Sequence, residues 1–218
     1  MIRTIALSVI FVTLLMIAPQ VSHAAPDGAR EILLTGNLTK PSGHSPQWIC
    51  YEFLTKIKRH YGIQDPQQDL KVVSIRNTSP DRIRILMQQL LFETPVWGAS
   101  LSLDMDTNGV IHRVEGTFYP GLEKKLFHLP MHPAISAQKA VSIAKSSLGA
   151  DNTYAAGRDH TALYYLPARP GCPLVYAVSF SVRAPRTETL TVFVHSLTKR
   201  AIAHISESSH LNRSQRLN

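Results

Sequence analysis

Two stretches of the chain repeat one order of signals, a helical stripe followed by alternating strands. In the first, Ile49, Cys50, Phe53, Leu54 and Ile57 share one face at helical spacing, which predicts a helix over Gln47 to Tyr61. Ser45 and Pro46 supply an N-cap and a first-turn proline, and Gly62 supplies the stop. Leu70 to Ile75 alternates weakly as a strand, and Asn77 to Asp81 reads as a turn. Arg82 to Phe92 is a second strand with Ile83, Ile85 and Met87 on one face. A hairpin comes next. Leu101, Leu103 and Met105 alternate with Ser100, Ser102 and Asp104, while Val110, His112 and Val114 alternate with Ile111, Arg113 and Glu115. Asn108-Gly109 lies between them, and both central positions of such a turn want positive φ.

Phe118 to Pro133 is rich in turn residues and reads as a boundary. Ser136 then caps a second helix with the stripe Ala140, Val141, Ile143, Ala144 and Leu148, stopped by Gly149. Strands follow over Ala162 to Pro167, Pro173 to Arg183 and Thr189 to His195, with a short fourth over Ile202 to Ile205. Arg169-Pro170-Gly171 and Ala184-Pro185 mark the turns. The predicted class is α+β, two small helix-plus-antiparallel-sheet domains in tandem. Their expected spans are 25–127 and 128–206, preceded by a signal peptide over 1–24 and followed by a polar tail over 207–218.

The leader rests on Arg3, the apolar run Ile5 to Ala18, Pro19, and small residues at Ser22-His23-Ala24. It predicts a secreted or periplasmic protein; an uncleaved anchor is the alternative. No later stretch is long and apolar enough to span a bilayer, so no membrane partner is expected after cleavage. The formal charge of +8 favours acidic partners. Nucleic acid is not among those expected: export argues against it, and Lys56-Ile57-Lys58-Arg59 is the densest basic run. Cys50 and Cys172 are the two cysteines. In an oxidising compartment they are a plausible disulfide, contributing about 4 kcal/mol, against the alternative of two buried thiols.

Catalytic chemistry finds little support. Asp104, Asp106, Asn108, Gly109 and Glu115 match the EF-hand calcium pattern, but Pro95 and Gly98 upstream and Gly116 and Pro120 downstream leave no room for its helices. The hairpin is therefore the expected reading. His128 and His132 have the spacing of a metal pair, yet Pro130 breaks any helix between them. Gly43-His44-Ser45-Pro46 lacks the second glycine of a nucleophile elbow. No enzyme activity, metal site or cofactor is expected.

Gln88-Gln89, Pro95-Val96-Trp97-Gly98-Ala99, Asp106-x-Asn108-Gly109-Val110 and Val114-x-Gly116 together resemble the hairpin of the fungalysin/thermolysin propeptide. The helix before them, with Gly62-Ile63-Gln64-Asp65-Pro66 behind it, is similar to that family's first helix and loop. From Ile135 the chain resembles a PepSY domain, through Ser136-Ala137-x-x-Ala140-Val141-x-Ile143-Ala144, Leu174 to Val178 and Thr191 to Ser196. Glu93 departs from the pattern, standing where the family prefers glycine, and Val194-His195-Ser196 replaces its Val-Asp-Ala. No His-Glu-x-x-His zinc helix occurs in the sequence.

The resemblance implies a non-catalytic protein that binds a thermolysin-like metallopeptidase in trans, as inhibitor or folding chaperone. It implies partner contacts at Trp97, His195, Ala203, His204, Ile205 and Ser206, with His204 or His210 near the partner's zinc. A cell-envelope binding module with another target and a truncated prosegment remnant are the alternatives.

Overall fold

The computed structural model describes residues 28–148, 160–183 and 187–208. In chain order the elements are β1 (Arg30–Thr35), α1 (Pro46–Tyr61), α2 (Pro66–Asp69), β2 (Leu70–Ser79), β3 (Arg82–Leu91), β4 (Thr94–Asp106) and β5 (Ile111–Phe118). Then come α3 (Leu122–Lys125), α4 (Ala137–Ser147), β6 (His160–Tyr165), β7 (Leu174–Arg183), β8 (Thr187–His195) and β9 (Ala201–Ser208). The expected signal peptide, Gly149, the Ala184-Pro185 turn, His210 and most of the polar tail lie outside the described residues.

Both main helices form as their caps dictate. Ser45 Oγ accepts from the Trp48 N–H, and Gly62 closes α1 in the left-handed region at φ 73° with its N–H on the Lys58 carbonyl. The α1 stripe of Ile49, Cys50, Phe53 and Leu54 is buried against Ile85, Leu101, Leu103, Met105, Ile111 and Val114 of the sheet. Ser136 caps α4 in the same way, accepting from the Lys139 N–H. Ala140 and Ala144 of α4 pack on Tyr176, Val178, Phe180, Val192 and Val194.

The tandem arrangement of two α+β domains does not hold. The strands make one mixed nine-stranded sheet in the order β1-β5-β4-β6-β7-β8-β9, with β2 on β3 and β3 on β4. Its join is a parallel pairing of Val96 on β4 with Tyr165 on β6; the other pairings are antiparallel. The cause is an apolar seam drawn from both stretches. Leu91, Val96, Ala99, Tyr119, Leu122 and Leu126 are buried together with Tyr165, Cys172 and Leu174. Alternation along a strand reports its two faces, whereas it is silent on which strand its edge will pair.

Smaller differences have local reasons. β1 precedes the first predicted element, and it is held by pairing with β5, burying Ile32. β2 runs on to Ser79, into the turn predicted over Asn77 to Asp81, over a ladder with two register shifts against β3. β9 extends on both sides of Ile202 to Ile205 because β8 pairs with it from Glu188 to Val194.

Candidate functional site

β4 is the strand on which the candidate site is built. Its C-terminal half pairs with β5 from Leu101 to Met105, and its N-terminal half meets β6 at Val96. Between the halves sits Gly98 at φ 71°, opposite a register shift between Gln88 and Leu90 on β3. The ladder is interrupted there, as at a β-bulge. Gln88 occupies the gap: its Nε2 donates to the Val96 and Ala99 carbonyls at 2.8 Å each. The turn from β3 to β4 puts both Phe92 (φ 48°) and Glu93 (φ 65°) in the left-handed region. Such a turn normally selects glycine or asparagine.

At the far end of β4 the hairpin forms around Gly109 at φ 78°, but not as the expected two-residue turn. Asn108 is outside the left-handed region, and four residues, 107–110, connect the strands. The Gly109 N–H donates to the Asp106 carbonyl and the Asp106 N–H to the Val110 carbonyl. Asp106 Oδ1 accepts from the Asn108 and Val110 N–H groups, both at 2.9 Å, and Oδ2 lies 2.9 Å from His112 Nε2. The hydrogen bond to His112, reinforced by the two amides, holds the Asp106 carboxyl below the usual carboxylate range. Arg84 grips Asp104 with both Nε and Nη2, and Arg113 grips Glu115. The carboxylates of the EF-hand pattern are thus spent on separate partners along a strand pair. Among the described residues no group of three or more His, Cys, Asp or Glu is arranged to hold a metal ion.

Trp97 and His195 are brought to one face of the sheet. The Trp97 ring stands edge-on to Tyr164 (centroids 5.0 Å apart) and to Phe193 (4.8 Å). His195 is two residues beyond Phe193 on β8, so it projects to that same side. Its Nδ1 accepts from the Leu197 and Thr198 N–H groups at 3.2 and 3.4 Å. The proton of the neutral ring therefore sits on Nε2. Ala203, His204, Ile205 and Ser206 lie in β9, their backbones paired with Phe193, Val192, Thr191 and Leu190. The short strand expected over Ile202 to Ile205 is part of β9, which lies at the edge of the sheet among the described residues.

The expected disulfide is absent. Cys50 and Cys172 are free, buried thiols in separate clusters, Cys50 on the buried face of α1 and Cys172 in the seam beside Tyr165 and Leu174. Burial pushes the Cys50 thiol up to about 12 and the Cys172 thiol up to about 11.

A hollow beside the seam, lined by Gln64, Asp69, Gln89, Tyr119 and Glu123, has room for about 20 Å³, enough for a water molecule. Burial raises the Asp69 carboxyl there, against the Gln64 and Asp65 amides that lower it. Two features escaped the sequence reading. One is the structural work of Gln88 and Gln89, flagged only by a polar pair at the end of an apolar strand. The other is the exposure of Phe127 and Leu129 in the turn-rich connection, flagged by apolar residues among Lys124, Lys125 and His128.

No family model matches the chain. Among known proteins it is similar to Bacillolysin of Bacillus cereus, with 28% identity over 124 residues. The match covers 56% of this chain and 22% of Bacillolysin. This is a weak, partial likeness to a thermolysin-like peptidase, and it fits a propeptide region at most. A solved chain assigned as a lipoprotein of Clostridium difficile 630 aligns over 71% of this chain and 90% of its own, at 13% identity and a TM-score of 0.29. That value is too low to bear on fold or function.

Proposed function

We propose that the chain is a non-catalytic, secreted or periplasmic protein that binds a thermolysin-like zinc metallopeptidase in trans, as inhibitor, folding chaperone or both. The observation that carries this reading is the partial likeness to Bacillolysin, which takes in over half of this chain and 22% of that protein. Binding to the folded peptidase and not to its unfolded forms would stabilise the enzyme by linkage. Peptidase grooves accept extended backbone, and β9 is, among the described residues, an extended strand at the sheet edge. In this reading Trp97 and His195 belong to the contact face, and His204 in β9 offers an imidazole to the partner's zinc.

The test is a titration of the purified protein against Bacillolysin while hydrolysis of a small peptide is followed. Stoichiometric inhibition with a sub-micromolar constant, about 8 kcal/mol or more of binding, is the expected result. Digestion of the protein without inhibition would sink the proposal. Full inhibition by His204→Ala would remove the imidazole from it while leaving the rest.

A further inference from the structure

We propose that the connection between β5 and α4, together with the β8–β9 turn tied to it, is a docking surface for an anionic lipid bilayer. After α3 the backbone places Phe127 (φ 52°) and His128 (φ 58°) successively in the left-handed region, which bulky side chains avoid. The conformation is held from within. Phe127 donates to the Lys124 carbonyl, His128 to Glu123 and Leu129 to Leu126, while Leu122 and Leu126 anchor the segment in the seam. The result is that Phe127 is 85% exposed and Leu129 69% exposed, the highest values among the exposed large hydrophobics of the described residues. Strain kept in order to hold apolar side chains out in water points to a surface that receives them.

The charge around them identifies the surface. From Lys124 to Lys139 every formally charged side chain is lysine, with His128 and His132 interspersed. The acidic neighbour is Glu123, whose carboxylate lies 3.8 Å from His128 Nδ1. The Ala134 N–H donates to the Ser196 carbonyl at 3.1 Å, tying the connection to the turn that exposes Leu197, Lys199 and Arg200. Two segments therefore show the same combination of exposed apolar side chains and neighbouring cations. A headgroup layer suits both at once: phenyl and leucyl groups enter the acyl boundary and the cations remain with the phosphates. A protein partner would need a separate pocket for each apolar side chain. Among the described residues no helix is long and apolar enough to cross a membrane, so the contact is peripheral. The proposal departs from the expectation of no membrane partner after leader cleavage.

The experiment is co-sedimentation of the purified full chain with phosphatidylcholine vesicles, with and without about one third phosphatidylglycerol. Phe127→Asn and the pair Lys124→Gln/Lys125→Gln are compared with the parent, and each is also titrated against Bacillolysin. Asparagine tolerates the left-handed region, so Phe127→Asn keeps the fold, which its melting curve verifies. The expected result is salt-sensitive binding to the anionic vesicles that falls about tenfold in Phe127→Asn and again in the lysine pair. Binding no stronger than to phosphatidylcholine alone, or a Phe127→Asn variant that binds as the parent does, overturns the proposal. Loss of peptidase inhibition in Phe127→Asn without vesicle binding by the parent also overturns it, and makes the connection a protein-docking surface.

Discussion

Gln89 and Tyr119 hold each other through two hydrogen bonds: Gln89 Nε2 donates to the Tyr119 carbonyl at 2.8 Å, and Gln89 Oε1 accepts the Tyr119 N–H at 2.9 Å. The amide is buried, and it fastens β3 to the chain just after β5, where no ladder exists to satisfy that peptide group. Beside it, Gln88 performs the related task across the interruption in β4. The seam joining the two stretches is therefore organised by two adjacent glutamines as well as by apolar packing.

Replacing Gln89 with leucine conserves volume and strands both Tyr119 backbone groups. Each buried unpaired group costs about 1–3 kcal/mol, so stranding two of them in Gln89→Leu is expected to lower stability by about 2–6 kcal/mol. A urea unfolding series checks this. A loss under about half a kcal/mol would show that water replaces the amide without penalty.

Two glycines separate steric from conformational requirements. A Cβ on Gly116 would fall on the Ser100 carbonyl oxygen across the β4–β5 ladder, at φ 146°. Gly98, at φ 71°, has open space where its Cβ would be. Gly116→Ala should then cost about 3 kcal/mol or more, and Gly98→Ala about 1 kcal/mol. Equal costs, measured by thermal unfolding, would contradict the crowding at Gly116.

Asp106 supplies a pH dependence. Its carboxyl is held below the usual range in the folded protein, mainly by His112, so it contributes stability that is present above the ordinary carboxylate pKa. That contribution fades as pH falls through the lower, folded value. Asp106→Asn is expected to flatten this acid limb in a stability–pH profile. Because both Asp106 oxygens are engaged in the hairpin, added calcium is expected to leave the melting temperature of the parent unmoved. A rise with calcium would restore the EF-hand reading of this turn.

The thiols report on the alkaline side. Alkylation of the unfolded protein without reductant should add two labels, since both cysteines are free, whereas the folded protein resists labelling. A thiol whose pKa is raised by folding stabilises fully below its unfolded value, and that stability is lost as pH rises. From the ordinary 9.0 toward 11 and 12, stability should fall by about 1.4 kcal/mol per pH unit for each thiol. A flat profile in that window would contradict their burial.

Much of the fold was legible because its signals are local. Ser45 with Gly62, Ser136, and Asn108-Gly109 mark element ends through one or two hydrogen bonds or a single dihedral, and the elements form there. What the pattern lacked was anything distinguishing two sheets from one. That outcome depends on Val96 meeting Tyr165, and on an apolar seam whose members lie up to 83 positions apart, from Leu91 to Leu174. The cysteines misled for a related reason. An isolated pair suggests a bond, but whether the Cα atoms approach is a property of the packed fold. At the candidate site, Trp97 and His195 share one face through sheet pairing that neither neighbourhood encodes.

Trp97 tests whether that face is packing or contact surface. Its ring is half-buried, edge-on to Tyr164 and Phe193, so it bridges β4 to β6 and β8 whatever its partner. Trp97→Ala is expected to cost about 3 kcal/mol, and Trp97→Phe, which retains an edge-to-face ring, about 1 kcal/mol. The informative measurement sets guanidinium midpoints beside inhibition constants for the two variants. If Trp97 touches a peptidase through its exposed side, Trp97→Phe weakens inhibition by more than its small stability loss explains. If inhibition by Trp97→Phe equals that of the parent, the ring serves only the joint between the two stretches.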